Sequence, residues 1–172
     1  KVYFSPRLSA ERWRVANLVR DGEVIIDMFC GIGPFSIMIA KHRAPKRVYA
    51  IDINPDAIEF LKRNIVRNRV DNVVLILGDA KDIVKSIEKA DRIIMNLPLS
   101  SFQFFEAALS AIKDDGTIHY YEILRGDEAY ERVEQLKEKA SRFGKELDIS
   151  MREVKSYSST KAHFAFDLEV RA

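Results

Sequence analysis

Cysteine, histidine and long apolar runs are all scarce in this chain of 172 residues. Its one cysteine, Cys30, excludes an intramolecular disulfide framework and a multi-cysteine zinc site, and it suits a reducing cytoplasm. No stretch approaches the roughly 18 consecutive apolar residues of a membrane span, so we expect no membrane segment. The 3 histidines are scattered without the spacing of metal ligands, so the sequence predicts no bound metal.

An excess of charge of one sign is also missing. The 28 Lys and Arg residues against 26 Asp and Glu leave a net charge of +2, which predicts no general polyanion binder but permits a local basic face. With 47% apolar and 31% charged residues, the chain can bury one core and has no room for a separate substrate domain. Because residue 1 is not Met and no apolar signal core follows it, we expect a piece of a longer cytoplasmic protein.

Apolar runs alternate with helical patterns along most of the chain. Strands are predicted over residues 24–29, 48–53, 73–77, 92–95 and 117–123. Helices are predicted over residues 34–41, 54–65, 83–87, 102–112 and 128–143. Strands that alternate with helices form parallel βαβ units with right-handed crossovers, which indicates a doubly wound α/β fold.

The two ends of the chain break this alternation. Strand-like runs over 149–157 and 163–170 have no helix between them, which predicts an antiparallel hairpin at the edge of a mixed seven-stranded sheet. Near the start, Ser9 is expected to cap a helix over 10–19. We therefore predict a leading segment over residues 1–21 and an α/β domain over residues 22–172.

Polar residues follow four consecutive predicted strands. Asp27 and a glycine turn (Gly31 and Gly33) end the first strand and Asp52 ends the second. Asp79-Ala80 follows the third strand and Asn96-Leu97-Pro98 the fourth. Ligands of open α/β sheets bind outside the carboxyl ends of the strands, so these residues predict one binding site. The turn lacks the third glycine of a dinucleotide fingerprint, which argues against a pyrophosphate cradle. The alternative is a tight turn and solvated helix caps without a ligand.

This order resembles the class I S-adenosylmethionine-dependent methyltransferases, which have a Rossmann-like fold, over residues 22–172. The resemblance implies S-adenosyl-L-methionine as cofactor, with the glycine turn under its methionine part, Asp52 on the ribose, and Asp79 with Ala80 on the adenine. The implied cofactor-binding residues are Tyr3, Arg12, Asp27, Phe29, Gly31, Gly33, Asp52, Ile53, Asp79, Ala80 and Asn96.

Several separated motifs narrow the resemblance. Asn96-Leu97-Pro98 resembles the motif of methyltransferases that act on ring or amide nitrogens, although Leu97 and Leu99 depart from its usual proline and aromatic residue. Together with residues 5–12, 27–36, 119–121 and 155–157, it is similar to the archaeal and eukaryotic tRNA guanine-37 N1-methyltransferases. Cys30 replaces a usual alanine, a small-for-small change.

The resemblance also implies how the catalytic residues act. N1 of guanine carries a proton at neutral pH, so a general base must remove it. That base would be Glu11, with Arg12 near the cofactor and Tyr3 lining the pocket, while Asn96 orients the guanine and Pro98 fixes the turn. Without the family, Glu11 and Arg12 are simply charged residues on a short amphipathic helix.

Parts of that machinery are expected to lie outside this chain. In the family, an arginine that stabilises the guanine O6 and a small tRNA-recognition domain both precede the glutamate, and Arg7 is no substitute for that arginine. We therefore expect a monomeric fragment that binds cofactor, has tRNA as its partner, and methylates poorly alone. Basic residues over 41–47 and 62–69 are either phosphate contacts or a solvated face. Tyr157 and Phe164 either stack on a base or pack in the protein.

Other readings of the sequence stay open. The aminocarboxypropyl transferase of the wybutosine pathway resembles this family in fold and cofactor, but it commonly lacks the Asn96-Leu97-Pro98 pattern. A bifunctional enzyme that also methylates the wye intermediate is a second alternative, and a noncatalytic RNA-binding module is a third. His119, within an apolar strand, is interpreted as a hydrogen-bonded core residue.

Overall fold

A computed structural model describes residues 8–172, in which β-strands and α-helices alternate. The strands are β1 (Val24–Asp27), β2 (Arg47–Asp52), β3 (Val73–Leu77), β4 (Ala90–Met95), β5 (Ile112–Leu124), β6 (Glu146–Ser156) and β7 (Ala162–Arg171). The helices are α1 (Ser9–Leu18), α2 (Pro34–His42), α3 (Pro55–Asn68), α4 (Ala80–Ile83), α5 (Phe105–Ala111) and α6 (Gly126–Arg142). A short 3₁₀ turn, Ser101–Phe104, precedes α5.

The strands form one seven-stranded sheet in the order β3-β2-β1-β4-β5-β7-β6. The first five strands in this order pair in parallel, whereas β7 is antiparallel to both β5 and β6. The predicted mixed sheet with its antiparallel hairpin is therefore confirmed. The winding reverses between β1 and β4, and such a switch point is where open α/β sheets bind their ligands.

Helices cover both faces of the sheet because alternate side chains of a strand point to opposite sides. Ile25 of β1 packs with Val15 of α1 and Ile39 of α2 on one face. Ile26 packs on the other face, in the same cluster as Phe105 of α5. Since α1 contributes to this interior, the helix of the leading segment and the α/β domain share one core.

The beginning of α1 differs from the prediction. Ser9 is the first helical residue, and Leu8 occupies the N-cap position without a side-chain cap bond. The Leu8 side chain is only 3% exposed. Burying this apolar group places the helix start one residue earlier than a serine cap would, so the prediction for Ser9 was wrong.

Two predicted helices are shorter than their apolar patterns suggested. The segment 83–87 was predicted as a helix, but α4 ends at Ile83 and Val84 is its C-cap. Val84 is buried, with Ile87 packed against the same cluster, so tertiary packing explains this apolar pattern without a helix. The predicted helix over 102–112 divides into the 3₁₀ turn and α5, and its last residue, Ile112, already begins β5.

Candidate active site

The glycine turn joins β1 to α2 at the carboxyl edge of the sheet. Gly33 has φ +89°, and a Cβ atom there would lie 2.2 Å from Leu61 Cδ1, so a larger residue would clash with α3. Pro34 begins α2 at a position where its missing N–H is not needed. The Gly31 N–H donates to Asp52 Oδ2 at 2.8 Å, which ties the turn to the end of β2.

Asp27 lies beneath this turn and is almost completely buried at 1% exposure. Its Oδ2 accepts a hydrogen bond from Ser36 Oγ at 2.7 Å. Its Oδ1 is buried and has no hydrogen-bond partner among residues 8–172. Burial raises the pKa of Asp27 to about 7, the Ser36 bond opposes that rise, and the negative charge of Asp52 adds to it. The sequence-predicted Asp27 is thus a buried acid beneath the turn, and backbone hydrogen bonds from Ser36 and Phe29 also oppose the rise of its pKa.

Acidic residues at the ends of β2 and β3 line a cavity of about 150 Å³, here called the Asp52 cavity. Asp52 also accepts from the Asn54 N–H at 2.9 Å, and Asp79 caps α4 by accepting from the Lys81 N–H at 2.9 Å. Phe29 and Phe104 form an aromatic wall with their ring centroids 4.8 Å apart. The complete lining is Met28, Phe29, Asp52, Ile53, Gly78, Asp79, Ala80, Leu97 and Phe104.

The arrangement of the Asp52 cavity suits a nucleoside. Carboxylates at its polar end can accept hydrogen bonds from ribose hydroxyls, and aromatic and aliphatic walls can hold a planar base. The structure brings five of the sequence-predicted cofactor residues into this cavity: Phe29, Asp52, Ile53, Asp79 and Ala80.

The Asn96-Leu97-Pro98 segment follows β4 and lines a second cavity of about 260 Å³, here called the Asn96 cavity. Its backbone is bonded within the protein, since the Pro98 carbonyl accepts from Ile123 N at 2.9 Å and the Leu97 carbonyl accepts from Ser101 Oγ at 3.1 Å. Asn96 Oδ1, in contrast, is buried without a hydrogen-bond partner within residues 8–172. The remaining lining is Leu8, Leu99, Ile123, Lys155, Tyr157 and His163.

Leu97 lines both cavities, so they adjoin at this residue. One cavity holds the acids at the strand ends, and the other holds the amide of Asn96. This geometry suits a cofactor on one side and a planar acceptor ring on the other.

Glu11 of α1 is 5% exposed and held by three cationic or phenolic donors. Its Oε1 accepts from Arg14 Nη2 at 2.8 Å and from the Tyr121 hydroxyl at 2.7 Å, and its Oε2 accepts from Arg152. Burial by itself raises the pKa of Glu11, but these hydrogen bonds outweigh it and lower the pKa below its ordinary value. Glu11 is therefore a carboxylate at neutral pH, the state that a proton acceptor requires.

Arg14 extends from Glu11 into a chain of buried and partly buried bonds, here called the α1 charge network (Glu11, Arg14, Asp167, His119, Arg92 and Glu23). Arg14 Nη1 donates to Asp167 Oδ2 at 2.6 Å, and His119 Nδ1 lies 2.7 Å from Asp167 Oδ1. Arg92 Nη1 lies 2.8 Å from His119 Nε2 and donates through two other nitrogens to Glu23. A guanidinium only donates, so His119 Nε2 accepts and Nδ1 carries the proton. His119 is thus a hydrogen-bonded core residue, as predicted.

The other predicted site residues lie near the glycine turn or outside the described part of the chain. Arg12 is 5% exposed and lines a third cavity, of about 410 Å³, with Gly33 and Pro34. Tyr3 and Arg7 lie outside the described residues. The structure therefore separates the predicted set into an Asp52 cavity, an Asn96 cavity and the residues around the turn.

The packing also bears on two features for which the sequence left alternatives open, the aromatic pair Tyr157 and Phe164 and the basic segment 41–47. Phe164 is 8% exposed within the core, whereas Tyr157 is 58% exposed and lines the Asn96 cavity. In the basic segment 41–47, Arg43 donates to the Val19 carbonyl and Arg47 pairs with Glu88, so these cations already have intramolecular partners.

His163 is the residue of this region that sequence reasoning missed. It lines the Asn96 cavity and is 2% exposed, but a single histidine in an apolar strand gives no local signal of a site. Over residues 8–172, no group of three or more His, Cys, Asp or Glu side chains could hold a metal ion. In the same part of the chain, no helix is long and apolar enough to cross a membrane.

The strand order, the terminal antiparallel pair and the acidic cavity at the carboxyl edge define a class I methyltransferase fold. A family model described as "TRM5/TYW2 methyltransferase domain" matches residues 1–149. The chain belongs to this family.

Named relatives support the same assignment. The tRNA (guanine(37)-N(1))-methyltransferase Trm5b of Pyrococcus abyssi is 46% identical over 172 residues, which are 99% of this chain and 51% of the relative. Its crystal structure superposes with a TM-score of 0.93 and 46% identity, covering 100% of this chain and 51% of that one. The chain thus spans about half the length of this relative.

Relatives that act on another reaction also match. A tRNA(Phe) (4-demethylwyosine(37)-C(7)) aminocarboxypropyltransferase of Methanocaldococcus jannaschii is 39% identical over 169 residues, covering 97% of this chain and 68% of the relative. The crystal structure of M. jannaschii TYW2 in complex with AdoMet has a TM-score of 0.90 and 37% identity, covering 99% of this chain and 78% of that one. Family membership therefore leaves the transferred group to be argued from the site.

Proposed function

We propose that this chain is the catalytic part of an enzyme that transfers a methyl group from S-adenosyl-L-methionine to N1 of guanosine 37 in tRNA. The observation that carries the proposal is the unpartnered Asn96 Oδ1 in a cavity that adjoins the acidic Asp52 cavity. An amide acceptor there can orient a ring nitrogen toward a group held next door. The Pyrococcus abyssi relative, whose name states this reaction, supports the same substrate.

The cofactor proposal rests on the fit of the residues at the strand ends. Asp52 and Asp79 would hold the ribose and adenine, with Phe29 and Ile53 as walls and Ala80 beneath the ring. Bound S-adenosylmethionine supplies an electrophilic methyl group. Arg12, Asp27, Gly31 and Gly33 would surround its methionine part, and the unbonded, buried Asp27 Oδ1 can receive a donor from a ligand or an ordered water. The M. jannaschii TYW2 structure, which contains AdoMet, supports this assignment.

The protein residues orient the base and manage its proton. Asn96 Oδ1 would accept a hydrogen bond from the guanine edge, and Pro98 keeps the segment in position through its carbonyl bond to β5. Glu11 would take the N1 proton, so that the N–H bond breaks and an O–H bond forms on the carboxylate. Arg14 and Tyr121 hold Glu11 from the buried side, and the 40%-exposed Arg152 is the donor that can move away as a base enters.

The domain and partner assignments are part of the same proposal. Residues 1–21 would contribute to the active site, and residues 22–172 would form the cofactor-binding domain. We expect the chain to act in the cytoplasm as part of a monomer that binds tRNA, with tRNA recognition assisted by sequence outside these residues.

Aminocarboxypropyl transfer is the second candidate, because a relative that carries it out is 39% identical. The Asn96-Leu97-Pro98 segment favours methylation, since the unpartnered Asn96 Oδ1 would accept a hydrogen bond from a ring nitrogen. The two reactions differ in the mass that they add to the tRNA, so one mass spectrum of the modified nucleoside separates them.

The decisive experiment is methyl transfer from labelled S-adenosylmethionine to tRNA transcripts with guanosine or adenosine at position 37, using the full-length protein. We expect label only in the guanosine transcript and a mass gain of one CH2 group in its modified nucleoside. Equal labelling of both transcripts, or a gain of a larger group, would overturn the proposal. Comparing this chain alone with the full-length protein then tests whether the fragment binds cofactor but turns over slowly.

A further inference from the structure

His163 occupies a buried position on the wall of the Asn96 cavity. It lies near the start of β7, where it pairs with Ile123 of β5 and Lys155 of β6. Its ring packs edge-on against Tyr121, with centroids 5.8 Å apart and an interplanar angle of 82°. This packing fixes the imidazole within the wall of the cavity and close to Glu11, whose charge acts on its pKa.

The Nε2 atom of His163 has no hydrogen-bond partner among residues 8–172, although it is fully buried. A buried polar atom without a partner destabilises the folded state, so such atoms call for an explanation. Asn96 Oδ1 is in the same state and lines the same cavity. The other walls are mostly apolar, including Leu97, Leu99 and Ile123, and Lys155 and Tyr157 add polar groups to the lining. A planar ring that carries both donors and acceptors would satisfy both unpartnered atoms at once.

The second buried histidine provides a contrast. His119 is 0% exposed and has both ring nitrogens in hydrogen bonds, to Arg92 and Asp167. Burial and the charge of Lys155 lower the pKa of His163 to about 4, although Glu11 partly opposes this. His163 is therefore a neutral imidazole at neutral pH, which brings one N–H group or one lone pair to a ligand without a charge.

We infer that His163 is a base-recognition residue whose Nε2 hydrogen-bonds to the target guanine while Asn96 Oδ1 binds the same ring. The inference rests on the proposed function, because it takes the nucleobase as the occupant of the Asn96 cavity. Guanine carries donors at N1 and N2 and acceptors at O6 and N7, so its edge can serve both residues. His163 positions the ring and takes no part in proton transfer.

The test compares His163→Phe and His163→Gln with wild type in the full-length protein. Phenylalanine keeps a ring of similar shape without a polar atom, and glutamine restores an amide group near the place of Nε2. For His163→Phe we expect about a tenfold loss in kcat/KM on the guanosine-37 transcript, the value of one hydrogen bond. His163→Gln should recover part of that loss, and the affinity for S-adenosylmethionine by calorimetry should not change in either variant.

Thermal stability distinguishes recognition from structural support. Because Nε2 is unbonded in the free protein, His163→Phe should keep or raise the Tm, whereas the matched His119→Phe should lower it by removing two bonded nitrogens. The inference is overturned if His163→Phe has a kcat/KM within about twofold of wild type. It is also overturned if the Tm of this variant falls together with its activity. If wild type transfers no methyl group, the proposed function fails. In that case, the affinity for the guanosine-37 transcript is measured for wild type, His163→Phe and His163→Gln. Equal affinities in the three proteins would overturn the role of His163 in base recognition.

Discussion

Buried polar side chains occur in two regions of this molecule that differ in how they are bonded. In the α1 charge network, the charged side chains and the neutral His119 are linked by hydrogen bonds from Glu11 to Glu23. At the carboxyl edge of the sheet, three buried atoms have no partner within residues 8–172, and they belong to Asp27, Asn96 and His163. A bonded network stabilises the folded chain by itself, whereas unbonded buried atoms cost free energy until a ligand arrives.

This difference distinguishes a region that stabilises the fold from a region proposed to bind ligands. The α1 charge network anchors a helix to β4, β5 and β7, and it holds Glu11 in one orientation at its end. At the carboxyl edge, the unbonded atoms of Asp27, Asn96 and His163 lower the stability of the fold, and in the proposed function they would be available to ligands. Substitutions in the two regions should therefore change stability in opposite directions.

The largest expected effect comes from Glu11, where the network meets the proposed chemistry. Glu11→Gln keeps an acceptor for Tyr121 but removes the base, so we expect kcat to fall at least about 100-fold. Single-turnover methyl transfer measures this, and calorimetry should show an unchanged cofactor affinity. The matched control is Glu23→Gln at the far end of the network, where Glu23 is paired with Arg92. A similar loss of kcat in both variants would show that Glu11 acts only as a structural member.

Substitution of Asp167, in the middle of the α1 charge network, should lower the stability of the fold. Asp167→Asn weakens the bonds to Arg14 and His119, and we expect a loss of about 3 kcal/mol in the free energy of unfolding at pH 7. Urea denaturation measures it. Asp148→Asn is the control, because Asp148 forms an exposed pair with Arg171 on the neighbouring strand and should change stability little.

The Asp167 effect should depend on pH in a defined direction. Burial alone raises the pKa of Asp167, but hydrogen bonds from His119 and Arg14 outweigh it and hold the pKa well below its usual range. Such a group stabilises the fold above its unfolded pKa, and that stability is lost as the pH falls toward the folded value. The difference between wild type and Asp167→Asn should therefore narrow below about pH 4. A constant difference from pH 7 to pH 3 would contradict this account.

The smallest effect, and one of opposite sign, is expected at Asp27. Its raised pKa of about 7 means that the folded protein binds more protons than the unfolded chain between the two pKa values. Stability from this group is present at low pH and lost as the pH rises from about 4 toward 7. Asp27→Asn removes the buried charge but leaves an amide, so we expect it to gain about 2 kcal/mol at pH 8 and little at pH 4. If the free energies of unfolding of wild type and Asp27→Asn change in parallel between pH 4 and pH 8, this account of Asp27 is wrong.

The sequence could predict the carboxyl edge much better than the α1 charge network. Asp27, Asp52, Asp79 and Asn96 each follow a strand pattern, and parallel strands bring their ends together whatever the details of packing. Arg14 and Asp167, by contrast, are separated by 153 positions and meet through helix docking, which leaves no periodic pattern in the sequence.

The remaining errors have a related cause. Ser9 and the segment 83–87 carry local signals that tertiary burial overrides at Leu8 and Val84. His163 stands out only when the cavity and its unbonded nitrogen are known, because its neighbours in sequence are ordinary strand residues. Local patterns thus predicted where most strands and helices lie. Whether a single side-chain atom is hydrogen-bonded could be seen only in the folded structure.

The bond between the Pro98 carbonyl and Ile123 N has a consequence for the entropy of binding. Fixing the backbone of a loop residue costs about 1–2 kcal/mol when a ligand must do it. Here β5 and the Ser101 hydroxyl already hold the segment that carries Asn96. In the proposed function, an entering base would therefore meet a wall whose ordering was completed during folding, and more of its contact energy would remain for discrimination between bases.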